Sequence, residues 1–138
     1  MRLELTRRGD YAVRAMLTLA RHDAAQLTPA QLTAAQLAAA TGVPSSLVPQ
    51  VMGDLARAGL VRTRRGRSGG YRLARPAAEV SLLAVIEAVE GDGRRQTCVM
   101  RGGPCRREGA CDVHDAFFRA QEAVFGALAA VSLDEVTR

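Results

Sequence analysis

Two short helical patterns broken by a glycine, with two strand-like segments around an arginine- and glycine-rich turn directly behind them, constrain this chain most. Thr33 and Gln36 stand three apart, the capping-box relation that opens a helix, here running to about Ala40. Gly42 supplies a turn, Ser45 stands as the N-cap of a second helix with Leu47, Val51, Leu55 and Ala58 on one face, and Gly59 stops it. Leu60–Thr63 and Tyr71–Leu73 then flank Arg64-Arg65-Gly66-Arg67-Ser68-Gly69-Gly70, and Pro76 closes the unit. Helix, turn, helix and basic hairpin predict a winged helix-turn-helix. Pro49 disturbs this pattern. Counted from Ser45 it falls inside the second helix, so either that helix starts later or its first turn is loose.

Around this unit the periodicity predicts more helix. Residues 6–22 carry Tyr11, Ala12, Ala15, Met16, Leu19 and Ala20 as one apolar stripe behind a Thr6 cap. Residues 23–32 are expected to connect, and His22 to lie on the surface. Ser81 is expected to cap a helix with Leu82, Val85, Ile86 and Val89 inward and Gly91 at its end. A loop over 92–111 precedes a last helix from about Asp112 to Val131. In it Phe117, Val124 and Val131 recur every seven residues, as do Phe118 and Phe125, with Leu128 between them. Heptad spacing suits a partner helix. The expected architecture is therefore mainly α with a small β-wing: a DNA-binding domain over 1–78, and a ligand loop with dimerisation helices over 79–138.

Charge divides the same way. Residues 1–75 hold 12 arginines against 4 acidic residues, a balance of +8, whereas residues 76–138 hold 7 arginines against 10, a balance of −3. A polyanion footprint thus falls on the first half alone. Ser45, Ser46 and Gln50 are the polar side chains that the second helix would offer to major-groove base edges. Arg64, Arg65 and Arg67, interleaved with glycine, suit phosphates or the minor groove. Arg7, Arg8 and Tyr11 on the first helix complete the candidate DNA contacts.

The only three cysteines stand with a histidine in the loop: Cys98, Cys105, Cys111 and His114, separated by six, five and two residues. Thiolates gathered in one loop suit an iron–sulfur cluster and also zinc; three Cys and one His would complete a tetrahedral zinc site. Unligated redox thiols are a third reading. Spacing does not choose among them.

Several stretches resemble the IscR/NsrR-type bacterial transcription regulators: Arg7 to Met16 (RRGDYAVRAM), Gly59-Leu60-Val61, Arg65 to Pro76 (RGRSGGYRLARP) and Ser81 to Gly91 (SLLAVIEAVEG). The resemblance implies a homodimer joined through its C-terminal helices, binding double-stranded operator DNA, with an iron–sulfur cluster ahead of zinc as cofactor. Such a regulator is expected to be a repressor whose operator affinity follows redox, nitric oxide or iron–sulfur status. By the same likeness Ser46 and Gln50 fall on base-contacting positions and Arg65 on the minor-groove position. Pro49 replaces a glutamate that helps some members choose operators. His114 matches the fourth ligand of a 2Fe–2S site in one branch, and Asp10, reaching from the other subunit, that of a 4Fe–4S site in another.

No enzyme is expected. The chain offers no nucleophile–base pair, and the glycines at 66–70 join strands rather than opening a helix onto a phosphate. With no signal peptide or membrane-length apolar run read in it, the chain is expected to be cytoplasmic and away from membranes.

Overall fold

A computed structural model describes residues 1–27, 31–93, 97–103 and 111–138. Helix α1 (Arg7–Ala24) starts where Thr6 Oγ1 accepts the Gly9 N–H at 3.0 Å. Helix α2 (Ala34–Thr41) has the full capping box: Thr33 Oγ1 accepts from Gln36 N–H, and Gln36 Oε1 accepts from Thr33 N–H. It ends at Gly42, whose φ of 74° is the left-handed turn a side chain resists. Helix α3 (Val48–Arg57) follows, then strands β1 (Val61–Arg64) and β2 (Gly70–Leu73) in antiparallel register from Val61–Leu73 to Arg64–Gly70. After a short 3-10 turn come α4 (Leu82–Glu90), α5 (His114–Ala130) and α6 (Leu133–Thr137). The architecture is the mainly helical winged fold the sequence predicted.

One buried cluster unites these pieces. Ala12, Ala15, Met16, Leu19 and Ala20 line one face of α1. They meet Leu37 of α2, Val48, Val51, Met52 and Leu55 of α3, and Leu60 and Val61 at the hairpin base. Val80, Val85 and Leu133 belong to the same cluster, so α4 and α6 pack onto α1 as the first-half elements do. A fully buried side chain of this kind contributes about 1.5–3 kcal/mol. No described helix is long and apolar enough to cross a membrane.

Four expectations change. Ser45 does not cap α3, which starts at Val48 with Leu47 as its N-cap. Pro49 therefore sits in the first turn, where its missing N–H would have had no helical partner anyway. On α4 the buried residues are Leu83 and Val85, with Leu82, Ile86 and Val89 half-buried, because α1 and α3 cover one side of that helix and α5 another. The C-terminal region holds a sixth helix: Ser132 and Glu135 form a capping box for α6. His22 is half-buried with its Nε2 out of solvent, not a surface side chain.

The hairpin also has a third extended neighbour. Leu32 pairs with Tyr71 through two backbone bonds, of 3.0 and 2.8 Å. Gly70 makes that approach possible, since a Cβ there would stand 2.6 Å from the Leu32 carbonyl oxygen. Gly70→Ala is accordingly expected to cost about 1–3 kcal/mol through backbone displacement. Urea unfolding measures it; an unchanged midpoint would show that the Leu32 segment is not held against β2.

Candidate nucleic-acid interface and ligand loop

Helix α3 separates its two faces sharply. Val48, Val51, Met52 and Leu55 are buried, while Ser45, Ser46, Pro49 and Gln50 are exposed around its first turn. Leu47 N–H donates to Pro44 O at 2.9 Å, so a turn carries both serines just ahead of the helix. This leaves polar side chains at the helix N-terminus, the end from which a helix-turn-helix recognition helix contacts base edges.

Asp54 on the same helix ties the head together. Its Oδ2 accepts from Arg8 Nη2 and its Oδ1 from Arg57 Nη2, and its side chain is only 15% exposed. Arg8, a candidate DNA contact, therefore bridges α1 to α3 in this structure. Arg7 is exposed beside it, and Tyr11 is half-buried against the core. Sequence reading missed Asp54, because nothing in one sequence pairs residues 8 and 54.

At the hairpin tip Arg64, Arg65 and Arg67 are all exposed. Gly69 N–H donates to Gly66 O at 3.0 Å, and a Cβ on Gly69 would fall 2.3 Å from the Arg64 carbonyl oxygen. Only glycine lets the tip fold this tightly, and the tip in turn sets where the three guanidiniums project.

The ligand loop starts at Gly91, which closes α4 by donating to Glu87 O at 2.8 Å. Cys98 and Gly103 form a tight turn: Gly102 N–H donates to Cys98 O at 2.8 Å and Cys98 N–H to Gly103 O at 2.7 Å. Gln121 Nε2 of α5 holds the Thr97 carbonyl at 3.2 Å. At the far end His114 N–H donates to Cys111 O at 3.2 Å, and the His114 ring stacks on Phe118 with centroids 6.1 Å apart. Cys98 and Cys111 are half-buried thiols, neither in a disulfide. Cys105 lies outside the described residues. Among those described, no three potential ligands converge on one point. Asp10, the alternative fourth ligand, pairs within its own helix with Arg14 Nε at 3.0 Å. By donor chemistry the set fits: thiolates with an imidazole or carboxylate suit a soft metal or an iron–sulfur cluster. Gly102 and Gly103, at φ of 68° and 74°, let the backbone fold closely around a bound group.

Glu90, the last residue of α4, is a second feature the sequence did not disclose. Its Oε1 accepts the Thr6 N–H, and a Cβ on Gly9 would stand 2.7 Å from that oxygen. The root of the ligand loop is thereby fastened to the start of α1. A glycine inside the predicted first helix was the one available hint of a close neighbour.

Residues 5–138 match the Rrf2 family model, described as an iron-dependent transcriptional regulator. The HTH-type transcriptional regulator IscR of Photorhabdus laumondii is 34% identical over 134 residues, covering 97% of this chain and 79% of that protein. Protein aau3 of Rhizobium meliloti is 32% identical over 137 residues, with 99% and 86% covered. Among solved structures, CymR, the global cysteine regulator of B. subtilis, superimposes with a TM-score of 0.76 at 22% identity, covering 99% of this chain and 97% of that one. IscR of T. potens gives 0.74 at 22% identity, with 97% and 85% covered.

The tip geometry yields a test. Gly69→Ala must open the turn and redirect Arg65 and Arg67. Duplex DNA affinity, read by fluorescence anisotropy, is expected to fall about tenfold, a distortion of roughly 1–3 kcal/mol. The hydrophobic core lies elsewhere, so the thermal midpoint should move little. Unaltered affinity would mean the tip does not approach DNA.

Proposed function

The chain belongs to the Rrf2 family of transcriptional regulators, and we propose that it is a homodimeric repressor whose operator affinity follows the state of an iron–sulfur cluster held by Cys98, Cys105 and Cys111. As a member of that family it is a DNA-binding regulator and not an enzyme. On this reading its work on operator DNA is done in the cytoplasm. The observation that carries the sensing reading is the fastening of the loop root: Glu90 leads directly into the ligand loop and accepts from Thr6 at the start of α1.

On this reading Ser45, Ser46 and Gln50 contact bases, Arg64, Arg65 and Arg67 engage the minor groove and its phosphates, and Arg7 and Tyr11 add contacts from α1. Arg8 acts first by holding α3 through Asp54. A bound cluster supplies a centre that oxidation, nitric oxide or iron–sulfur shortage can alter or remove. This chain's own residues do the transmission: the loop displaces Glu90, Glu90 releases or grips the α1 N-terminus, and α1 shifts α3 through Arg8–Asp54. A coupling of about 1–3 kcal/mol would change operator affinity some 5- to 150-fold.

Dimerisation rests on α5. None of its 17 residues is buried, although it carries Phe117, Phe118, Val124, Phe125 and Leu128. Leu3 and Leu5 join Leu83, Ile86, Val124, Phe125 and Leu128 around an apolar hollow beside it. A second copy of α5 covers such a face in the homodimer.

Anaerobic purification with iron and sulfide quantitation and visible spectroscopy tests the cofactor. Iron with sulfide in wild type, and its loss with altered operator affinity in Cys105→Ala, are expected. Zinc without sulfide supports a zinc-stabilised regulator instead, and metal-free protein that still responds to thiol oxidation a cluster-free one. Whichever of Asp10→Ala and His114→Ala loses the cluster absorbance contains the altered fourth ligand. Sedimentation should give twice the chain mass, and Phe117→Glu should bring it to the monomer value; a wild-type monomer at micromolar concentration would sink the dimer reading.

A further inference from the structure

The wing has an outer face as well as a tip. Strand alternation turns Val61, Thr63, Tyr71 and Leu73 to one side, where Val61 is buried and Tyr71 and Leu73 pack on the core. The other side carries Arg62, Arg64 and Arg72. Arg62 and Arg72 are direct cross-strand partners, an arrangement in which like charges destabilise a sheet. Arg72 is half-buried despite its charge.

No described carboxylate forms an ion pair with Arg62 or Arg72. Arg62 and Arg72, with Arg75, border an open hollow of about 350 Å³ that also includes Asp23. None of these four forms an ion pair among the described residues. The remaining lining is Leu73, Ala74 and Pro76, which offers no further polar side chain to select a small ligand.

We infer that the outer face of the wing is a second phosphate-binding surface, on which Arg62 and Arg72, with Arg75 at the rim, hold the DNA backbone beside the groove that the tip enters. The inference rests on the DNA-binding role of the wing. A minor groove is walled by phosphate strands, so a hairpin with its tip in the groove has a flank beside one of them. Arg64 lies on the same face, between the tip and the Arg62–Arg72 pair, and makes the positive track continuous. The open form of the hollow suits a passing strand better than an enclosed anion. Contacts of this kind add affinity and salt dependence without reading sequence.

The test uses the full-length protein and a fluorescent duplex of arbitrary sequence, with affinity measured by anisotropy across a sodium chloride series. For Arg62→Gln/Arg72→Gln the slope of log affinity against log salt is expected to flatten by about 0.9 for each phosphate no longer neutralised. Affinity should fall several-fold at low salt, by the same factor on duplexes of different sequence. The urea midpoint should stay level or rise, since a like-charge neighbour has gone. Each single variant should flatten the slope by about half as much. A wild-type slope in the double variant would overturn the inference, as would a lowered urea midpoint with unchanged binding, which would make the arginines structural. If the wild-type protein itself bound no duplex, the DNA-binding role and this inference would fall together; normal wild-type binding with an unmoved slope would remove the inference alone.

Discussion

Helix α1 is the constraint on which the rest depends. Helices α2, α3, α4 and α6 and strand β2 all pack on it, and three of its five buried apolar positions are alanine. Small side chains let neighbouring elements approach closely, and Met16 and Leu19 fill the space between them. Because a packed core deforms little, such an axis transmits displacement instead of absorbing it. Its N-terminus also meets two polar ties between distant parts of the chain, Thr6 to Glu90 and Arg8 to Asp54. A change at the end of α4 therefore has a short physical route to α3.

What the sequence disclosed was mostly local. The caps at Thr6, Thr33 and Ser81 and the stop at Gly42 involve partners three or four residues away, so spacing reveals them. Ser45 misled for a local reason as well: it has the chemistry of a cap, but Pro49 fits the first turn best when the helix begins at Val48. Helix α6 carries as good a capping box as α2, yet its five residues are too few for a periodic pattern to register.

The long-range ties were not legible. Pairing of Leu32 with Tyr71, of Arg8 with Asp54 and of Glu90 with Thr6 spans 39, 46 and 84 positions, and hydrophobic period says nothing about such pairs. Two of the three were marked only by a glycine with no local reason to be one, Gly70 and Gly9. A candidate ligand set rests on chemistry alone, three thiols and an imidazole in one loop, of which Cys105 lies outside the described residues. For a fourth member the sequence does not choose between Asp10 and His114, since both have suitable donor chemistry.

The two parts of the fold differ in what completes them. The core around α1 is continuous and draws side chains from both halves of the chain, Val80, Val85 and Leu133 among them. Helix α5 has no buried residue, so its orientation is set by α4, by Gln121 on the loop carbonyl and by whatever covers its aromatic face. An element without buried side chains shifts at smaller cost than one locked into a packed core. One buried core side chain is worth about 1.5–3 kcal/mol, similar in size to the coupling that the proposed sensing reading requires. On the proposed reading signal and stability need not compete: α5, with no buried residue, can shift on α4 while the core around α1 stays packed, and a displacement at Glu90 can reach α3 through the two ties at the start of α1 and through the direct packing of α4 on α3.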